Sequence, residues 1–140
     1  MKYLLDTCLI SETVKPTPSP SVLDWLERQD EARLYLSVLS VGELEKGVSR
    51  LEDGARKNRL QAWLEVSLTR RFMGRILSID LETAQTWGRV TARCERLGHR
   101  LPVLDGLLAA SALQHGLVMV TRNVADFEPT GVSVTNPWQL

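Results

Sequence analysis

MKYLLDTCLISE, residues Met1 to Glu12, is the stretch that decides the fold. The short, mostly apolar run Lys2 to Leu5 stops abruptly at Asp6 and Thr7. That break predicts a buried strand feeding a turn, with a brief helical turn over Leu9 to Val14 behind it. A first strand ending in a carboxylate and a hydroxyl sets two questions for the rest of the chain: what pairs with the strand, and what faces the acid.

Working outward, Lys15 to Pro20 contains three prolines, which block regular structure, and Ser19 or Ser21 can then cap a helix carrying Val22, Leu23, Trp25 and Leu26. Leu34 to Leu36 reads as a second strand. Ser40 and Glu43 stand in capping-box spacing ahead of Leu44, Val48 and Leu51, so the next helix is expected to start at Ser40. Leu60, Trp63, Leu64, Leu68 and Phe72, between Gly54 and Gly74, recur at helical spacing and predict one long amphipathic helix. Ile76 to Ile79 is a third strand. Ala84, Trp87, Thr91, Cys94 and Leu97 mark a further helix that Gly98 ends. Past Pro102, Asp105 opens a helix over Gly106 to His115 with Gly116 as its stop. Leu117 to Val120 is a fourth strand, and Val132 to Val134 a short edge strand before Asn136, Pro137 and Trp138.

Strands separated by helices imply parallel pairing, because a parallel strand needs a crossover and the helix supplies it. The expected class is therefore α/β, a three-layer α/β/α domain with a central, mainly parallel sheet. At 140 residues, 44% of them hydrophobic, residues 1–140 read as one domain with its own core. No apolar run reaches the roughly 18 residues of a membrane span, and the N-terminus turns polar too early for a signal peptide, so a cytoplasmic protein is expected. Cys8 and Cys94 have neither metal-knuckle spacing nor a disulfide framework, and both read as packing residues of a reducing compartment. Net charge is zero, with 17 basic and 17 acidic residues, so any nucleic-acid role must rest on local patches. Three basic groups exist: Arg56, Lys57 and Arg59; Arg70, Arg71 and Arg75; and Arg89, Arg93, Arg96, His99 and Arg100. The plain reading of each is a solvated helix face.

In an open parallel sheet the working crevice lies beyond the carboxyl ends of the strands. Asp6 and Thr7 follow the first strand; Thr121, Arg122 and Asn123 follow the fourth, so both segments are expected at one end. Glu43 and Asp105 sit in first turns of helices and converge there if those helices start at that end. Each acid also has a structural alternative. Asp6 could cap the helical turn, Glu43 could complete a capping box with Ser40, and Asp105 could complement its helix dipole. The joint pattern favours chemistry, since clustered carboxylates repel one another and raise some of their pKa values unless a cation joins them. With oxygen-only ligands the site suits Mg²⁺, or Mn²⁺, over Zn²⁺. The matching reaction is phosphodiester hydrolysis by a metal-activated water. His99 has no evident part, and His115 reads as a helix-terminal residue. Arg122 and the Arg70, Arg71 and Arg75 group are the first candidates to grip a phosphate backbone.

Met1–Glu12, Ser37–Gly47 (SVLSVGELEKG), Pro102–His115 (PVLDGLLAASALQH), Val120–Phe127 (VTRNVADF) and the terminal Asn136-Pro137-Trp138 together resemble PIN-domain toxins of the VapC/FitB kind. The likeness spans the chain and is nearest the FitB-like branch. Each motif alone is weak; five in order at fitting spacing are strong. The resemblance implies a small α/β/α fold, Mg²⁺-dependent RNA cleavage, a homodimer, and neutralisation by a cognate antitoxin through which operator DNA is bound. It matches Asp6, Glu43 and Asp105 to three metal-binding acids, with Thr7 and Thr121 in support. The sequence departs from the family pattern at two places. Cys8 stands where an Asn commonly follows the Asp-Thr pair, and Asn123 where many relatives carry a fourth acid, leaving Asp126 as a substitute.

A phosphatase of the haloacid-dehalogenase type needs a second Asp where Cys8 stands, and a phosphoacceptor receiver wants a Lys where Arg122 stands. The more serious rival is a catalytically weak PIN-fold module that binds RNA or protein without cutting. If a partner docks, Trp25 or Trp63 could anchor it, although core packing is the plainer role of each.

Overall fold

Leu4 and Leu5 are adjacent, point to opposite faces of a strand, and are both fully buried. That is possible only where helices cover both faces of the sheet. The computed structural model describes residues 1–140. It places five strands, β1 (Tyr3–Leu5), β2 (Leu34–Ser37), β3 (Ile76–Leu77), β4 (Val118–Val120) and β5 (Val134–Thr135), in the order β3-β2-β1-β4-β5. Every pairing is parallel. The helices are α1 (Thr7–Thr13), α2 (Pro20–Glu27), α3 (Val38–Ser49), α4 (Ala55–Ala62), α5 (Thr69–Arg71), α6 (Leu81–Arg96), α7 (Val103–His115) and α8 (Val124–Phe127).

Alternation along the strands sorts the core into two layers. Leu5, Leu36 and Val120 join Leu9, Trp25, Leu44, Leu64 and Phe72 on one face. Leu4 and Met119 join Leu108, Ala109, Ala112 and Phe127 on the other. The long amphipathic helix expected between Gly54 and Gly74 exists as α4 and α5, joined through a π-helical stretch over Trp63–Leu68. Trp25 is buried edge-on to Tyr3, with ring centroids 5.0 Å apart, so it is a core residue and not a surface anchor.

Three sequence expectations need correction. The helix holding Glu43 starts one turn early: Ser37, at the end of β2 in an extended conformation, caps it by accepting Leu39 N–H at 3.1 Å. Ser40 is therefore inside the helix and fully buried, and the expected capping box with Glu43 is absent. Asp105 lies two residues inside α7, which opens at Val103. The edge strand is Val134–Thr135, placed by its pairing with Met119 and Val120, not Val132–Val134.

Candidate functional site

From β1 the chain runs outward to β2 and β3 on one side, then returns to β4 and β5 on the other. The order reverses at β1 and β4, and a crevice opens beyond their carboxyl ends. Asp6 ends β1. It is 7% exposed, and its backbone N–H donates to Val120 O at 2.9 Å, stitching it to the end of β4.

Its carboxylate takes three donors. Oδ1 accepts Thr7 N–H at 2.8 Å, and Oδ2 accepts the Thr121 hydroxyl at 2.7 Å and the weaker Cys8 thiol at 3.6 Å. Thr121 in turn accepts Asn123 N–H at 3.0 Å. Asp6 does cap α1, but two further donors from β4 and α1 orient it beyond what a cap needs. The Thr7 hydroxyl donates to Glu43 Oε1 at 2.7 Å and lies 3.1 Å from Ser40 Oγ. Glu43 and Ser40 are thus aimed at the turn after β1, and the partner that replaces Ser40 for Glu43 is Thr7.

Asp105 completes the group from α7. Its carboxyl is pushed up to about 6, first by burial and then by the charges of Asp6, Asp126 and Glu43. Three other acids therefore bear on Asp105 across the crevice. Three of the four, Asp6, Glu43 and Asp105, are the residues singled out from sequence. Both candidates for a fourth are exposed; Asp126 contributes charge at Asp105, whereas the Asn123 side chain caps nothing. Nowhere do three carboxylate, imidazole or thiol groups close into a ready-made metal cage. The donor set nevertheless fits a hard divalent ion: it is all oxygen, and the repulsion that adds to burial in lifting Asp105 is what a cation relieves.

Cys8 is not simply a packing residue. Its Sγ lies between Asp6 Oδ2 and Thr121 Oγ1, and burial followed by the Asp6 charge pushes its thiol up. Cys94 is buried, with Sγ against Pro129 O at 3.5 Å. Arg71 and Arg75 are placed away from the acids. They sit before β3, at the opposite end of the strands, where Arg71 Nη2 meets Glu31 Oε2 at 3.2 Å. Arg75 donates to the carbonyls of Glu31 and Leu34 at 2.6 Å each and lies over Phe72. Arg70 is exposed in the same helical turn. Arg122 does border the crevice, one residue beyond Thr121.

The PIN domain family matches residues 3–128. This chain belongs to the PIN-domain family. Among PIN-domain relatives, toxin FitB of Neisseria gonorrhoeae is 38% identical over 135 residues, covering 96% of this chain and 97% of FitB. The VapC ribonuclease Y4jK of Sinorhizobium fredii is 35% identical over 136 residues, covering 97% of each. A solved structure of FitAB bound to an IR36 DNA fragment superposes on this PIN domain with a TM-score of 0.95 at 36% identity, covering 99% of this chain and 96% of that one. The expected three-layer α/β/α fold is thereby borne out. Missed in the sequence were the Ser40–Thr7 contact and the bond from the Trp138 indole N–H to Glu12 Oε1 at 3.2 Å, although both of the latter residues lie in stretches that carried the resemblance.

Proposed function

We propose that this PIN domain, acting as one unit over residues 1–140, is the toxin of a type II toxin–antitoxin pair and an Mg²⁺-dependent endoribonuclease of the cytoplasm. The observation that carries the reading is the gathering of Asp6, Glu43, Asp105 and Asp126 beyond the ends of β1 and β4, with Asp105 raised first by burial and then by the charges of the other three. Asp6 and Asp105, with Glu43, would hold the metal, and Asp126 supplies the fourth negative charge in preference to the neutral Asn123. A bound Mg²⁺ or Mn²⁺ activates water and stabilises charge on the phosphate oxygens. Thr7 and Thr121 hold Glu43 and Asp6 in place, so the carboxylates reach the reaction without reorganising. Arg122 meets the phosphate backbone.

The relatives named as toxin and ribonuclease, and the solved FitAB assembly on DNA, support an antitoxin partner that carries any contact with operator DNA. A cavity of about 290 Å³ runs from Trp63, Leu60 and Val14 to Thr7 and Glu43. An apolar partner segment anchored on Trp63 would cover the acids by the same contact. Exposed Val38, Val103 and Leu104, near the starts of α3 and α7, offer an apolar patch for a homodimer. Mixed RNA incubated with the purified protein, with and without Mg²⁺ and beside Asp6→Ala, is the test. Cleavage that needs both Mg²⁺ and Asp6 is expected; RNA binding without cleavage at any divalent ion would select the non-cutting module.

A further inference from the structure

Glu12 is a carboxylate 5% exposed that the chemistry above does not use. It sits on α1 one turn beyond Cys8, hence on the same helix face. Its Oε1 accepts Lys15 Nζ at 3.0 Å and the Trp138 indole N–H at 3.2 Å, and its Oε2 accepts Ser19 N–H at 3.0 Å. These bonds, Lys15 foremost, hold its carboxyl below the usual range. The C-terminal turn is fixed further by Ser21, whose hydroxyl donates to Pro137 O, and by Asn136 Oδ1, which accepts Trp138 N–H at 3.0 Å. Both carboxylate oxygens are thus met by donors, and the buried charge fixes the Trp138 indole in one place.

What the indole faces is Arg122, whose guanidinium carbon lies 5.3 Å from the Trp138 ring centroid. Arg122 is exposed and belongs to none of the ion pairs in the molecule. Arg122 follows Thr121, whose hydroxyl bonds Asp6, yet its guanidinium pairs with no carboxylate. Stacking on a neutral ring instead keeps its donors free while fixing the side chain. We propose that Trp138, locked by Glu12, is a positioning residue that holds Arg122 at the crevice to bind a phosphate of the RNA strand. This rests on the ribonuclease reading above and joins the N-terminal and C-terminal motifs to it.

The test is RNA binding by the full chain, read as anisotropy of a labelled mixed-sequence single strand with Ca²⁺ in place of Mg²⁺, over a range of salt. Arg122→Ala is expected to weaken binding about tenfold and to lower the log K against log salt slope by about 0.7, the value of one phosphate contact. Trp138→Leu should reproduce both losses, Trp138→Phe should restore most of the affinity by returning a ring face, and Arg122→Ala with Trp138→Leu should lose no more than either alone. In cleavage with Mg²⁺ the same variants should raise KM and leave kcat nearly unchanged. Full affinity in Trp138→Leu, or losses that multiply in the double variant, would overturn the proposal while cleavage by the parent left the ribonuclease reading standing. A parent that neither binds nor cuts RNA overturns both. Should Trp138→Leu not fold, the Trp138 indole N–H resonance decides: it should shift on RNA addition in the parent and not in Arg122→Ala, and no shift at saturating RNA overturns the proposal.

Discussion

The Thr7 hydroxyl donates to Glu43 Oε1 at 2.7 Å, tying the turn after β1 to the middle of α3. Because Glu43 has no capping role, its carboxylate is free for the crevice. Glu43→Gln should therefore lower kcat by about a hundredfold or more at saturating Mg²⁺ while leaving thermal stability nearly unchanged. Thr7→Val, which removes only the hydroxyl, should cost about 1 kcal/mol of stability and a smaller part of the rate. Turnover by Glu43→Gln close to that of the parent would remove Glu43 from the site.

Asp105 gives the metal-free protein a pH dependence of definite sign. Its folded-state carboxyl titrates at about 6 against an ordinary 3.8. Between those values the folded chain holds a proton that the unfolded chain has lost, so stability falls as pH rises from about 4 to 6. Asp105→Asn removes the penalty. Discounted for the solvent that reaches this half-buried group, the gain at pH 7.5 is about 1 kcal/mol. Chemical denaturation in EDTA should find Asp105→Asn more stable than the parent and RNA cleavage abolished; equal stability at pH 7.5 would show that the acids do not repel across the crevice.

Asp126 and Asn123 make different claims on the fourth position. Three carboxylates suit one Mg²⁺, and a fourth charge strengthens the hold on it. Calorimetry with Mn²⁺ should show Asp126→Asn binding about tenfold more weakly. Asn123→Asp should tighten binding, because it adds a charge where the side chain now has no partner. Unchanged Mn²⁺ affinity in Asp126→Asn would return the fourth place to Asn123.

Behind Asp105, Gly106 leaves room for one side chain. A Cβ there would meet Trp87 Nε1 at 2.9 Å and Leu101 Cδ2 at 3.2 Å. Gly106→Ala should destabilise the fold by about 1–3 kcal/mol through this overpacking of α7 against α6. Trp87→Leu in the same chain should recover part of the loss, measured by thermal unfolding; a Gly106→Ala protein as stable as the parent would mean that the helices part freely.

Arg75 is occupied by structure. With its guanidinium committed to the carbonyls of Glu31 and Leu34, Arg75→Ala should cost about 1–3 kcal/mol of stability and leave the salt slope of RNA binding unaltered. A slope that fell in this variant would place RNA at the far end of the sheet.

The sequence by itself determined what depends on neighbours in the chain. Apolar periodicity located the strands and helices to within a few residues, and their alternation implied a parallel sheet covered on both faces. An acid directly after β1 and hydroxyl and basic residues directly after β4 announced the working end, because strand ends in such a sheet point to one crevice. Tertiary structure alone decided which side chains meet. Ser40 and Glu43 have capping-box spacing, but Ser37 already satisfies the helix N–H groups, so both turn to Thr7 instead. Arg71 and Arg75 read as free cations until Glu31, some 40 residues earlier, is brought beside them. The path from Glu12 through Trp138 to Arg122 depends on distances between segments that no local pattern encodes. Charge and stacking act through space, and spacing along a chain reports only the contacts made within a turn or two.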